Sequence, residues 1–193
     1  MSGIVDKFAI FSLVLTGLSI SVSPYPLVLV LTYLIHESGH VVFAKICGAK
    51  IKKFKIGGFH LNLSYDCSKI SYKREMLVCF GGIVFNLASA ALMLVLPIHE
   101  HEAVEFFVIC SFCLAFMNLY PAEILDGGGI LRAFLNSLLS PLKSEKILRG
   151  VSIFAIILLW MASIYFQLVF SSNMSLFFIS TILLMEFCFS FIK

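Results

Sequence analysis

The residues best suited to chemistry lie inside an apolar run, Leu27–Cys47, which contains the sequence His-Glu-Ser-Gly-His. His36 and His40 are four positions apart, so a helix places both imidazoles on one face, one turn apart. Two imidazoles so placed can reach one tetrahedral zinc ion, and Glu37 can act as a general base toward water beside it. An unused glutamate is costly in an apolar segment, which favours this interpretation over a hydrogen-bonded polar cluster between helices.

A catalytic zinc site takes a third protein ligand and keeps its fourth position open. The strongest candidate is Asp126, in the segment Asn118–Gly129, whose sequence is NLYPAEILDGGG. Pro121 ends the preceding apolar run, and the glycines after Asp126 permit a tight return of the backbone. We therefore expect Asp126 on a bent, non-helical segment at a membrane edge, where such a backbone requires a protein-lined or water-filled cavity. Without the histidine motif, an ordinary glycine-rich loop with a capping aspartate would be the interpretation.

The elements that position these residues are predicted to be transmembrane helices. Of the 193 residues, 60% are hydrophobic and 13% are charged, against about a quarter charged in a typical soluble domain. We expect an all-α polytopic membrane protein with about six transmembrane helices, forming a single domain over residues 1–193. The six apolar segments are Phe8–Val22, Leu27–Cys47, Met76–Leu96, Val104–Leu119, Ile147–Phe170 and Leu176–Ile192.

The Lys and Arg residues all fall on one side of this six-span arrangement. One precedes the first segment, eight lie within Lys45–Arg74, four lie within Arg132–Arg149, and Lys193 closes the chain. The positive-inside rule then places both termini in the cytoplasm. The histidine motif would lie on the order of 10–16 Å below the cytoplasmic surface, with Asp126 near the same surface. The first segment could alternatively be a signal-peptide core, but the residues before it are barely basic.

The long polar stretch, residues 48–75, follows the second segment. Within it FHLNLSYD alternates apolar and polar residues, as a half-buried strand does. KIKKFKI precedes it, and Gly57-Gly58 between them suits a two-residue turn. We expect a small, basic, membrane-associated β-hairpin on the cytoplasmic side; a plain basic loop is the alternative.

The two motifs together resemble a known family. HESGH and NLYPAEILDGG are similar to the HExxH and NxxPxxxLDGG motifs of the site-2 proteases, which are intramembrane zinc metalloproteases. Because its sequence shows no inserted domain, the chain resembles the compact bacterial branch of the family, similar to the stage IV sporulation type. That type cleaves a membrane-tethered precursor of a sigma factor. The resemblance implies one Zn²⁺ per chain, held by His36, His40 and Asp126, with Glu37 as the catalytic base.

Four further residues have weaker claims. FGGIVFN is similar to the family's Gly-Pro-x-x-Asn segment, with Ile83 in place of proline, and this implies a substrate-binding role for Asn86. Asn118 begins the second motif and can donate a hydrogen bond to the substrate carbonyl or its oxyanion. For both asparagines a helix-packing amide is the alternative. Glu123 at a cavity mouth and Glu186 at a substrate gate are the remaining candidates, against solvated or snorkelling side chains.

The predicted function is hydrolysis of a membrane-tethered protein within or next to its transmembrane segment, with a pro-sigma or anti-sigma factor as the kind of substrate the resemblance suggests. The expected partners are this substrate and the lipid bilayer, with no nucleic acid, in a bacterial cytoplasmic membrane or a membrane of a spore-forming cell. The sequence leaves open whether an inhibitory membrane partner covers the site. A transporter or metal carrier using the same ligands is one alternative, although it has no need of Glu37 and no inverted repeat is visible. An inactive scaffold and another HExxH family are the others.

Overall fold

A computed structural model of the chain describes residues 25–56, 61–66, 70–97, 101–170, 177, 180–185 and 187. The described residues are mostly helical, and residues 180–185 are also helical. In chain order the elements are α1 (Tyr25–Cys47), β1 (Lys50–Ile56), β2 (Leu61–Asp66), α2 (Tyr72–Val95), α3 (Glu102–Asn118), α4 (Asp126–Leu138) and α5 (Pro141–Phe170). The predicted first span, Phe8–Val22, lies outside the described residues, as does the predicted turn at Gly57-Gly58.

Within the described ranges, three helices are long and apolar enough to cross a membrane. They are Tyr25–Cys47, Tyr72–Val95 and Pro141–Val169, with mean hydropathies of 1.6, 2.2 and 2.2. Helix α3 has 17 residues, slightly fewer than the ~20 that span a bilayer. These helices support an integral membrane protein. The count of six spans and the orientation of the termini stay predictions.

The described residues up to Met117 form one compact unit, in which α1 and α2 pack closely on each other. They approach closely at Gly39 and Gly81, where a Cβ on Gly81 would lie 2.6 Å from the carbonyl oxygen of Gly39. Only glycines allow the two backbones to touch in this way, as small residues do at many membrane helix crossings. The contact lies beside His40, so it fixes which part of α2 faces the histidine motif.

Helix α1 ends in a Schellman motif. Gly48 has a φ of 78°, in the left-handed region that glycine adopts without strain. Its N–H donates to the carbonyl of Lys45, and the N–H of Ala49 donates to the carbonyl of Ala44, which satisfies two carbonyls at the helix end. The chain then enters β1, which pairs antiparallel with β2 from Lys50↔Asp66 to Ile56↔Leu61.

The described residues from Asn118 onward form a second compact unit, which includes the long helix α5. This helix begins at Pro141, six residues before the apolar run that predicted a span from Ile147. Proline suits the first helical position because its missing N–H needs no partner there. The core of the unit includes Ala122, Ile156 and Phe187, all buried.

The expectation that Asp126 lies on a non-helical segment was wrong, because Asp126 is the first residue of α4. Residues 119–125 before it are non-helical. The glycines after Asp126 do not turn the chain; they let α4 approach that segment closely. A Cβ on Gly127 would overlap the carbonyl groups of Leu119 and Tyr120, and one on Gly128 would overlap that of Ala122.

Candidate metal centre

Helix α1 brings the two motif histidines into direct contact. His36 and His40 are 3% and 6% exposed, and their Nε2 atoms are 3.2 Å apart. Two histidine ligands at about 2.0–2.1 Å from a tetrahedral zinc would have their nitrogens about 3.3–3.4 Å apart. The spacing of the two Nε2 atoms is therefore close to that of two ligands sharing one ion.

The other nitrogen of each imidazole contacts α2. Nδ1 of His40 lies 2.8 Å from the carbonyl oxygen of Val78, and Nδ1 of His36 lies 3.3 Å from the amide nitrogen of Asn86. Metal-binding histidines usually donate their second N–H to an acceptor such as a carbonyl oxygen, which fixes the ring and leaves Nε2 for the metal, and His40 has such an acceptor in Val78. The contact with the Val78 carbonyl therefore leaves Nε2 of His40 available to a zinc ion, and the state of His36 depends on which end of the Asn86 carboxamide faces its Nδ1.

Gly82, between these two contacts on α2, makes room for the imidazoles. A Cβ at this position would lie 2.5 Å from Nε2 of His40 and 2.6 Å from Cε1 of His36. Val78, Gly82 and Asn86 recur every four residues, so one face of α2 lines the histidine pair. The sequence motif includes Gly82, but sequence reasoning missed Val78 entirely, since a backbone carbonyl leaves no signal in the side-chain pattern.

Glu37 follows His36 directly on α1 and is half-buried. It therefore differs from the two histidines, which are almost completely buried. A general base needs access to water as well as proximity to the reacting centre. Partial exposure next to the histidine pair is compatible with that role.

In the second unit, the segment before Asp126 is anchored on α5 by two hydrogen bonds. The Tyr120 hydroxyl donates to the carbonyl of Ala155 at 2.7 Å, and the N–H of Glu123 donates to Oγ of Ser152 at 2.9 Å. Burial raises the pKa of the Tyr120 phenol, which keeps the hydroxyl protonated as a donor. Asp126 is half-buried at the N-terminus of α4, where the helix dipole favours a negative charge.

The remaining predicted site residues have different surroundings. Asn118 is half-buried at the end of α3. Glu123 is paired with Arg132 at 3.1 Å, with side chains 21% and 43% exposed. Glu186 lies outside the described residues. Asn86 is completely buried against His36, a position that its predicted substrate role did not anticipate.

The chain is similar to proteins that are already known. The sequence model of peptidase family M50 matches residues 99–162, which contain Asp126 but not the two histidines. A zinc metalloprotease of Methanocaldococcus jannaschii is 30% identical over 158 residues, covering 75% of this chain and 45% of that protein. A solved site-2 protease from the same organism matches 91% of this chain and 83% of its own with 26% identity and a TM-score of 0.62. The chain thus spans less than half the length of the curated relative.

The apolar helices and the buried histidine pair define a membrane protein with a candidate metal centre. Part of the chain matches peptidase family M50, and the chain is similar in structure to a site-2 protease.

Proposed function

We propose that the chain is an intramembrane zinc-dependent endopeptidase that cleaves a membrane-tethered protein within or next to its transmembrane segment. The observation that carries the proposal is the 3.2 Å approach of the two Nε2 atoms within an apolar helix, with both Nδ1 atoms in contact with α2. Ionisable side chains within membrane segments are costly, so they are rare unless they serve a function. Similarity to a zinc metalloprotease and to a site-2 protease supports the same conclusion.

One zinc ion per chain is held in this proposal by His36, His40 and Asp126. The aspartate suits a ligand because α4 begins at this residue and the segment before it is anchored on α5. A bound zinc ion supplies a Lewis acid, which polarises the scissile carbonyl and makes a nearby water more acidic.

Glu37 is the proposed general base. Its carboxylate takes a proton from the attacking water as the water oxygen bonds to the carbonyl carbon. It then delivers this proton to the amide nitrogen as the C–N bond breaks, so that the proton ends on the new amino group. Asn118 is assigned to the substrate carbonyl, where its amide donates a hydrogen bond to the developing oxyanion.

The substrate segment must be extended at the site, because a helix keeps its peptide carbonyls in internal hydrogen bonds. The antiparallel pair β1–β2 follows α1 directly, and within the described part of the chain it is a two-stranded sheet with an open edge on each strand. An extended peptide can add to such an edge through main-chain hydrogen bonds. We assign substrate holding to this pair.

The proposed setting is a bacterial cytoplasmic membrane or a membrane of a spore-forming cell, crossed about six times with both termini in the cytoplasm. The proposed substrate class is a membrane-tethered pro-sigma or anti-sigma factor. The proposed family branch is the one that the sequence resembles, the stage IV sporulation type. Glu186 is assigned to a substrate gate. A membrane partner that covers the site would regulate such an enzyme.

The proposal is tested by reconstituting the purified chain in liposomes with candidate single-span proteins. Glu37→Gln should retain stoichiometric zinc and abolish release of the cleaved product. Glu105→Gln is the matched control, because Glu105 is exposed in the first turn of α3. Cleavage that survives Glu37→Gln contradicts the proposal. Zinc flux into the liposomes without cleavage of any substrate would favour a carrier instead.

A further inference from the structure

The buried side chain of Asn86 contacts His36 through one end of its carboxamide only, as far as the described residues show. Its amide nitrogen lies 3.3 Å from Nδ1 of His36, and its Oδ1 has no hydrogen-bond partner among the residues that the structure describes. A buried oxygen without a donor is destabilising, because it has lost the hydrogen bonds that water would give it. The two ends of a carboxamide occupy equivalent positions, so their hydrogen-bond partners decide which end is oxygen. For Asn86 the partner that decides this is Nδ1 of His36.

The tautomer of His40 is fixed by its partner. The Val78 carbonyl oxygen, 2.8 Å from Nδ1 of His40, can only accept a hydrogen bond. Nδ1 of His40 therefore carries a proton and donates it to this carbonyl. In the neutral ring Nε2 then keeps a lone pair, which is directed to the neighbourhood of Nε2 of His36.

His36 can adopt either of two hydrogen-bonding arrangements, and the orientation of Asn86 selects between them. If the Asn86 amide nitrogen donates to Nδ1 of His36, the neutral ring must carry its proton on Nε2, which then cannot bind a metal. If the Asn86 oxygen accepts from Nδ1–H, Nε2 of His36 has a free lone pair, like that of His40. Only the second arrangement gives a metal two imidazole ligands through the paired Nε2 atoms.

We propose that Asn86 is a positioning residue, whose carboxamide oxygen holds the proton of His36 on Nδ1 and thereby commits Nε2 to the metal. This inference rests on the proposed function and gives Asn86 a role other than the substrate contact expected from its motif. Each histidine then has one orienting partner on α2: the Val78 carbonyl orients His40, and the Asn86 carboxamide orients His36. Both partners come from the same face of α2, eight residues apart.

The inference predicts that two substitutions of Asn86 differ in their effect on zinc affinity. Asn86→Asp keeps an acceptor beside Nδ1 and removes the donor, so zinc affinity should stay within a few-fold of wild type. Asn86→Leu removes both and should weaken it by about 10–100-fold, as other losses of a metal ligand's partner do. Affinity is measured on the detergent-solubilised chain by competition with a chromophoric chelator. The visible spectrum of the cobalt-substituted protein is a second readout.

Ser89→Ala on the same helix is the control, because the Ser89 hydroxyl donates to the Asn86 backbone carbonyl and its loss should leave zinc affinity unchanged. The apolar Asn86→Leu variant is compatible with a buried site on a membrane helix. Its zinc affinity can therefore be measured even if the aspartate variant fails to fold. Asn86→Leu with wild-type zinc affinity, including one with a raised KM for substrate, overturns the inference. Asn86→Asp as weak as Asn86→Leu also overturns it. A wild-type chain that binds no zinc refutes the proposed function itself, whereas affinity lost in His36→Ala and kept in Asn86→Leu refutes only the role of Asn86.

Discussion

The backbones of Gly39 and Gly81 touch, and this contact aligns one face of α2 with the histidine pair. A Cβ at Gly81 would lie 2.6 Å from the carbonyl oxygen of Gly39 and 3.0 Å from Cβ of Phe43. Because the crossing is so close, Val78 reaches His40 on one side of it and Asn86 reaches His36 on the other. The arrangement of the candidate metal centre thus depends on two residues without a side chain that could bind a metal.

Substitution of either glycine should separate the two helices. Gly81→Ala is expected to destabilise the chain by about 1–3 kcal/mol, because backbone must move to accept the methyl group. Thermal unfolding in detergent measures the change. Gly150→Ala is the matched control: a methyl group added at Gly150 on α5 would meet no described atom within 4 Å, and alanine is the better helix former by up to about 1 kcal/mol. Equal unfolding midpoints for the two variants would contradict this account of the crossing.

Gly82 is expected to matter for the metal more than for the fold. A methyl group there would lie 2.5 Å from Nε2 of His40. The ring cannot easily move away, because its Nδ1 is hydrogen-bonded to the Val78 carbonyl. Gly82→Ala should therefore lower activity by about a hundredfold and weaken zinc binding. Zinc titration of the purified variant measures the effect. Unchanged zinc affinity in a folded Gly82→Ala variant would show that the ion is bound elsewhere.

Substitution of Glu123, in contrast, is expected to have little effect on stability and none on zinc binding. Its ion pair with Arg132 is partly exposed, and such pairs contribute about 0–1 kcal/mol. Glu123→Gln should therefore lower the free energy of unfolding by less than about 1 kcal/mol and leave zinc affinity unchanged. Glu145→Gln, which removes the exposed pair of Glu145 with Arg149, is the matched control. A selective loss of zinc in Glu123→Gln would instead assign this carboxylate to the metal.

How far the site could be predicted from the sequence depends on which interactions carry it. The four-residue spacing of His36 and His40 predicts a shared face from helix geometry alone, and the two rings do meet. The partner of His40 could not be predicted, because a backbone carbonyl is the same at every residue. The pairing of Asn86 with His36 requires the Gly39–Gly81 crossing, which sets the register between two helices that are far apart in sequence.

The start of α4 shows a different limit. Three consecutive glycines after Asp126 have poor helix propensity, and Leu125 before it offers no capping side chain, so local signals favour a loop. The structure has a helix there, packed so closely on the preceding segment that a Cβ at Gly127 or Gly128 would overlap its carbonyls. Tertiary packing, absent from the local pattern, decides the conformation here. The strand pattern at β1 and β2 is local, and the structure has strands at those residues.

The anchoring of the segment before Asp126 predicts a role for Ser152, a residue without any motif. Ser152 is fully buried, and its Oγ accepts the N–H of Glu123. Ser152→Ala should leave that N–H without its partner, at a cost of about 1–3 kcal/mol, and loosen the segment that leads to Asp126. Activity and zinc affinity should both fall, while Ser152→Thr, which keeps the hydroxyl, should restore them. The exposed Ser137 on α4 provides the control substitution to alanine. Wild-type zinc affinity in Ser152→Ala would separate this anchor from the metal site.

Removal of zinc should lower stability in proportion to the metal's binding. A ligand at a hundred times its Kd stabilises the folded chain by about 2.7 kcal/mol, because it binds the folded state and not the unfolded one. Chelation should therefore lower the unfolding midpoint of the wild type, and added zinc should restore it. His36→Ala removes one of the paired imidazoles, so its midpoint should not respond to chelator or to zinc. Glu37→Gln should respond as the wild type does, because Glu37 is assigned to proton transfer and not to the metal. A chelator-insensitive wild type would mean that zinc does not bind the folded chain, whatever the geometry of the histidine pair.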